Sequence, residues 1–198
     1  MAADSQATDA NYKFLANKLE HLDVPPIAWG VAGNSGLAQE FAEWMAAYRW
    51  ESATWAQLKS QGEFQIATLN RKWRRLQRAA GKKPEFTDFT SALIAGYLGG
   101  EGRVLKLTDR SPAEFIEQDA FTAVGSGEFH AVVASRTLSE FLRNHGQRLP
   151  RTRTALSFIV QMAILTDPKC GPPIHGLEVS PDKVAVWSGG DAAEEPMA

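Results

Sequence analysis

Few residues in this chain are placed to do chemistry, and most of them have an ordinary structural reading beside the chemical one. Cys170 is the only thiol. With Lys169 beside it, it could be a nucleophile; between a lysine and Gly171-Pro172-Pro173 it equally suits a structural cysteine. Ser126 lies in Gly125-Ser126-Gly127, which is not the Gly-x-Ser-x-Gly elbow of esterases and is a sequence that any tight turn into a helix can use. Asp167, before Pro168, could end a helix. Lys18 and Asp4 could be a plain strand-edge lysine and a turn-proximal carboxylate. The four histidines, His21, His130, His145 and His175, are scattered and share no metal-ligand spacing with Cys170. Gly99 to Gly102 is glycine-rich but lacks the Lys-Ser/Thr ending of a phosphate-binding loop, so it reads as a hairpin turn. No cofactor and no metal are expected. The basic run Arg71, Lys72, Arg74, Arg75, Arg78, Lys82 and Lys83 could contact nucleic acid. The helical stripe that points Trp73 at the core makes those charges a solvated face instead, so no nucleic-acid partner is expected.

These residues need a frame. The 198 residues suit one domain, 44% of them hydrophobic and 22% charged, with a net charge of −2. No global charge draws the chain to nucleic acid or membrane. No stretch approaches the roughly 18 unbroken apolar residues of a membrane helix, and the start does not read as a signal peptide. One cysteine excludes a disulfide framework and points to the cytoplasm.

Residues 1–7 read as a strand. Val24-Pro25-Pro26 turns the chain, and Ile27 to Ala32 is a short strand. Asn34 or Ser35 can cap a helix whose stripe is Leu37, Phe41, Trp44, Met45 and Tyr48. A second helix is expected from Glu63 to Ala80, stopped by Gly81 and Pro84. Phe89 to Tyr97 and Arg103 to Leu107 read as paired strands. Phe115-Ile116 and Ala120 to Val124 read as two shorter ones. Helices follow over Glu128 to Asn144 and Arg151 to Leu165, then a hairpin of Ile174 to Val179 and Lys183 to Trp187. Grouped elements of this kind argue for an α+β class, with two sheets stacked face to face and helix pairs outside. The helix over 151–165 is apolar nearly all round, which requires cover on more than one side, from within the monomer or from a neighbouring subunit. A single domain is expected over 1–187, with a flexible tail over 188–198.

Several segments resemble the proteasome β-type and HslV-like N-terminal nucleophile (Ntn) hydrolases, including bacterial and phage subunits. They are Met1 to Thr8 (MAADSQAT), Asn17-Lys18-Leu19, Val31 to Gly36 (VAGNSG), Ala92 to Leu107, Phe121 to Ala131 (FTAVGSGEFHA) and Thr166 to Ile174 (TDPKCGPPI). The resemblance implies a four-layer αββα sandwich of two antiparallel sheets flanked by helices, with the family's first strand missing. It implies a threonine at the chain start that attacks a peptide carbonyl, with its own α-amine as base. Lys18 would match the lysine that lowers the amine's pKa. Asp4 would hold that lysine, and Gly33 would supply the oxyanion N–H. Ser126 and Asp167 would complete the proton network. Val31 would shape a specificity pocket. Cys170 stands where the family has a serine and Gln6 where it has an arginine.

Two functional expectations follow from the resemblance. One is a threonine-type peptidase subunit read from an internal start, inactive as written because the nucleophile is absent. The other is a non-catalytic subunit or pseudoenzyme acting in assembly or binding. Both imply a homo-oligomer, a ring or stacked ring. The first adds a peptide or protein substrate.

Overall fold

The computed structural model describes residues 1–4, 6–9, 12–15, 18–83, 90–117, 120–150 and 153–188. Ten strands and four α-helices form among them. They group into two compact units, each a sheet with a pair of helices.

The five-stranded unit comprises Glu20–Ala120 and Val179–Val184. Its sheet runs in the order β4 (Leu19–Leu22), β5 (Ile27–Ala32), β6 (Ser91–Leu98), β7 (Glu101–Leu107) and β8 (Glu114–Ile116). From β5 to β8 each pair is antiparallel, and the register sets Trp29 opposite Ile94 and Ile94 opposite Leu105. Two helices pack on this sheet, α1 (Ser35–Ala46) and α2 (Trp55–Ala79). The Asn34 side chain caps α1, accepting from the amides of Gly36 at 3.1 Å and Leu37 at 3.3 Å. The apolar stripes meet in one core. Leu37, Phe41 and Met45 come from α1; Trp55, Leu58, Ile66 and Leu69 from α2; Ile27, Trp29, Ile94, Leu105 and Leu107 from the sheet. Full burial of one such side chain is worth about 1.5–3 kcal/mol.

Within that stripe Gly62 packs against the Leu107 side chain of β7. A Cβ there would lie 2.7 Å from the Leu107 Cδ1 atom. The helix begins eight residues before the expected Glu63, because Thr54 and Gln57 form a capping box. Beyond the stripe, the fully buried Asn70 side chain binds the Thr90 backbone twice. It accepts from the amide at 2.7 Å and donates to the carbonyl at 2.9 Å. Both backbone groups are thereby satisfied without a strand neighbour.

The three-stranded unit comprises the described residues of Met1–Leu19, Phe121–Glu178 and Ala185–Ala198. Its sheet runs β1 (Ala2–Asp4), β9 (Ile174–Val179), β10 (Val184–Ser188). The expected strand over 1–7 changes partner midway. Ala2–Asp4 pairs with β9, whereas β2 (Gln6–Asp9) forms a separate hairpin with β3 (Tyr12–Leu15) that was not expected. Two helices, α3 (Glu128–Asn144) and α4 (Arg153–Thr166), pack on each other, and α4 also contacts β1. Ala131, Ile159 and Ala163 form their buried seam, with Phe121, Ala123 and Leu149 against it. That packing corrects the expected strand over Ala120 to Val124. Its apolar residues serve the helix seam, and the segment has no strand conformation. In β9, Gly176 lies under the Trp187 indole of β10, where a Cβ would fall 2.0 Å from the ring.

The α+β class expected from the sequence is the one found, in a three-stranded and a five-stranded sheet, a separate two-stranded hairpin and four helices. No helix among the described residues is long and apolar enough to cross a membrane. The expectations for Asn17, Pro84, Phe89, Arg151 and residues 189–198 fall outside the described residues.

Candidate active site

The three-stranded unit draws three of the expected residues together. Where α4 ends, Asp167 donates its backbone N–H to the Ala163 carbonyl at 2.8 Å and turns the chain. Its carbonyl accepts from the Cys170 amide at 3.0 Å. Its carboxylate closes the same turn, with Oδ1 accepting from the Lys169 amide at 2.9 Å. Oδ2 takes the Cys170 thiol at 3.6 Å, and the carboxylate also accepts the Ser126 hydroxyl. Asp167 is only 7% exposed, while Ser126 is exposed, so the cluster meets solvent on its serine side.

Burial alone would push the Asp167 carboxyl up. The Lys169 amide, then the Ser126 hydroxyl, the Cys170 thiol and the charge of nearby His130 outweigh it, and together hold the group below the usual carboxylate range. The result is an ionised, buried carboxylate that fixes a hydroxyl and a thiol by charge-assisted hydrogen bonds. Such a group can orient donors and move protons between neighbours.

Gly127, the residue before α3, makes the approach possible. A Cβ there would stand 2.9 Å from the Cys170 sulfur and 3.9 Å from Asp167 Oδ2. Gly127 and His130 were not singled out from the sequence. The spacing of His130 four residues after Ser126 is the signal that points to it.

The other expected residues are placed as follows. In the three-stranded unit, Asp4 ends β1 with its Cα opposite Ile174 of β9, and Lys18 immediately precedes β4. In the five-stranded unit, Gly33 follows β5 with φ of 116°, a conformation that favours glycine, and half-buried Val31 packs against the core. No group of three or more His, Cys, Asp or Glu side chains among the described residues is placed to hold a metal ion.

The fold has a known counterpart. The chain is similar to the solved structure of Anbu, an ancestral β-subunit from Yersinia bercovieri, with a TM-score of 0.55 at 14% identity, over 93% of this chain and 75% of that one. This shows a proteasome-like fold. No family model and no curated protein matches the sequence.

One expectation is corrected by these findings. The segment resemblances had identified the chain as a proteasome β-type or HslV-like family member lacking the first strand and nucleophile. An identity of 14% and the absence of any matching family model support a likeness of fold and no more. The physical reason lies in the segments themselves. Gly-Ser-Gly before a helix and an aspartate turn after one are local solutions to chain reversal that unrelated sequences also use. What carries the fold is the pattern of burial, which survives wide divergence in residue identity.

Proposed function

We propose that this protein is a proteasome-like subunit that works as a homo-oligomer and hydrolyses peptide or protein amide bonds at a threonine-type site. The observation that carries the reading is the Asp167 cluster. A buried carboxylate kept ionised by Ser126, Cys170 and the Lys169 amide is the kind of preorganised proton network that an amine base and a hydroxyl nucleophile require. On this reading Lys18 tunes the amine and Asp4 holds Lys18. The fold likeness to a chain described as a β-subunit supports assembly. The lone cysteine fits a cytoplasmic setting.

A second reading is a non-catalytic subunit acting in assembly or binding. Two observations favour it. Cys170 is a weak donor to Asp167, at 3.6 Å, where a hydroxyl would bind more strongly, and none of the expected site residues is a threonine. Fluorogenic-peptide hydrolysis decides between them, measured on the assembled protein produced with the nucleophilic threonine at its start. The peptidase reading expects turnover that falls at least about a hundredfold in both Lys18→Ala and Asp167→Asn. Absence of turnover selects the non-catalytic reading, and turnover that survives both substitutions overturns the two together.

A further inference from the structure

The five-stranded unit carries a half-open cavity of about 320 Å³ where α1 gives way to α2. Trp44, Tyr48, Arg49, Ser52 and Gln57 are among the residues that line it. None of the residues expected at the hydrolytic site lines it.

Its walls are fixed in advance. Phe41, Trp44, Tyr48 and Trp50 form a continuous run of ring contacts, with centroids 5.2, 5.4 and 4.7 Å apart. The Trp50 indole N–H is tied to the Met45 carbonyl at 3.2 Å. Trp44 and Tyr48 are only half-buried, so ring surface stays open to a ligand. The Gln57 Oε1 atom is already committed to the Thr54 amide and hydroxyl, each at 3.1 Å, which leaves its NH2 group as the donor toward the cavity. Burial pushes the Tyr48 hydroxyl up in pKa, so it stays a neutral donor. Arg49 is the single charged residue in the lining, and no carboxylate among the described residues pairs with it.

We infer that this cavity binds a small aromatic carboxylate, its ring against Trp44 and Tyr48 and its carboxylate on the Arg49 guanidinium. Each feature narrows the ligand. The edge-to-face Trp44 and Tyr48 rings favour a flat apolar body over a flexible chain. One guanidinium without a second cation suits a monoanion, and its planar fork matches a carboxylate. The volume lies at the small end of ligand cavities, which are roughly 300–1,000 Å³, and so excludes a bulky molecule.

Phenylacetate is the probe, with phenylacetamide lacking the charge and acetate lacking the ring. Saturation-transfer NMR and titration of the tryptophan indole N–H resonances read binding. A fragment of this size binds with a Kd on the order of 1 mM. Phenylacetate is expected to bind in that range and to shift an indole resonance, and both controls to bind at least about tenfold more weakly, which is the loss of one charge-assisted contact or of the stacking surface. Arg49→Gln, at an exposed position, is expected to weaken phenylacetate by a similar factor while leaving phenylacetamide unchanged. Equal affinity for phenylacetate and phenylacetamide, unchanged affinity in Arg49→Gln, or no signal well above the millimolar range overturns the assignment. The peptide-hydrolysis assay is independent of all three outcomes, so failure here and failure of the proposed function are distinguishable.

Discussion

Asp167 combines two tendencies that usually exclude each other, burial and ionisation. It resolves them by collecting donors from three directions, the Lys169 amide, the Ser126 hydroxyl and the Cys170 thiol. Its pKa in the folded chain lies below the value of about 3.9 that an unfolded aspartate has. The carboxylate therefore adds stability above that value and loses the contribution as pH falls through the folded pKa. Asp167→Asn removes this titration. Urea unfolding is expected to show wild type more stable at about pH 7 and the gap narrowing as pH falls below the unfolded value of about 3.9. A gap that stays constant across that range would mean that packing of the side chain, and not its charge, holds the turn. The site's legibility in the sequence follows the same physics. Ser126, Asp167 and Cys170 each sit in a recognisable turn, so their local settings could be read. Gly127 could not, because what demands a glycine there is the Cys170 sulfur, far along the chain.

Elements obey the same division between local and distant causes. The helix α1 was legible because the Asn34 cap and the stripe Leu37, Phe41, Met45 are both local signals. The first turns of α2 were not, since Gly62 interrupts the apolar stripe and its reason is the Leu107 side chain on β7. The strand β6 carries a sharper case. Gly96 sits opposite Ile27, and a Cβ at Gly96 would fall 2.5 Å from the Pro26 carbonyl oxygen and 2.9 Å from the Ile27 Cα. Those are backbone atoms of the neighbouring strand and cannot step aside as a side-chain tip can. They are also engaged, since the Tyr97 amide donates to that Pro26 carbonyl at 3.0 Å. Gly96→Ala is expected to destabilise the protein by about 1–3 kcal/mol, the cost of forcing volume into a packed contact. In urea the midpoint should fall while the slope of the transition is unchanged. A midpoint equal to wild type would show that β5 and β6 can separate at that point without loss.

Across the whole molecule, apolar exposure is uneven. Of the nine large apolar side chains exposed among the described residues, five lie on one helix pair: Phe129, Val133 and Phe141 on α3, Phe158 and Leu165 on α4. The sequence shows α4 to be apolar nearly all round, and the structure shows how that surface divides. Ile159 and Ala163 face the seam with α3, while Phe158 and Leu165, two turns apart on one face, stand in solvent. Composition could not assign the two faces, because the sequence gives periodicity without saying what lies opposite. Clustered apolar exposure of this kind marks an association surface, and a second copy of the chain is the occupant that the proposed homo-oligomer supplies. Replacing Phe158 and Leu165 together by glutamate places two charges on that face while sparing the buried seam. Such charges cannot be desolvated against an apolar partner without a cost of several kcal/mol. Light scattering coupled to size exclusion is expected to find the wild-type chain at a multiple of the monomer mass and the double variant at or near one chain. Circular dichroism should show its helices intact. If the wild type runs as a monomer, or the charged variant assembles as wild type does, this face is not what joins the copies.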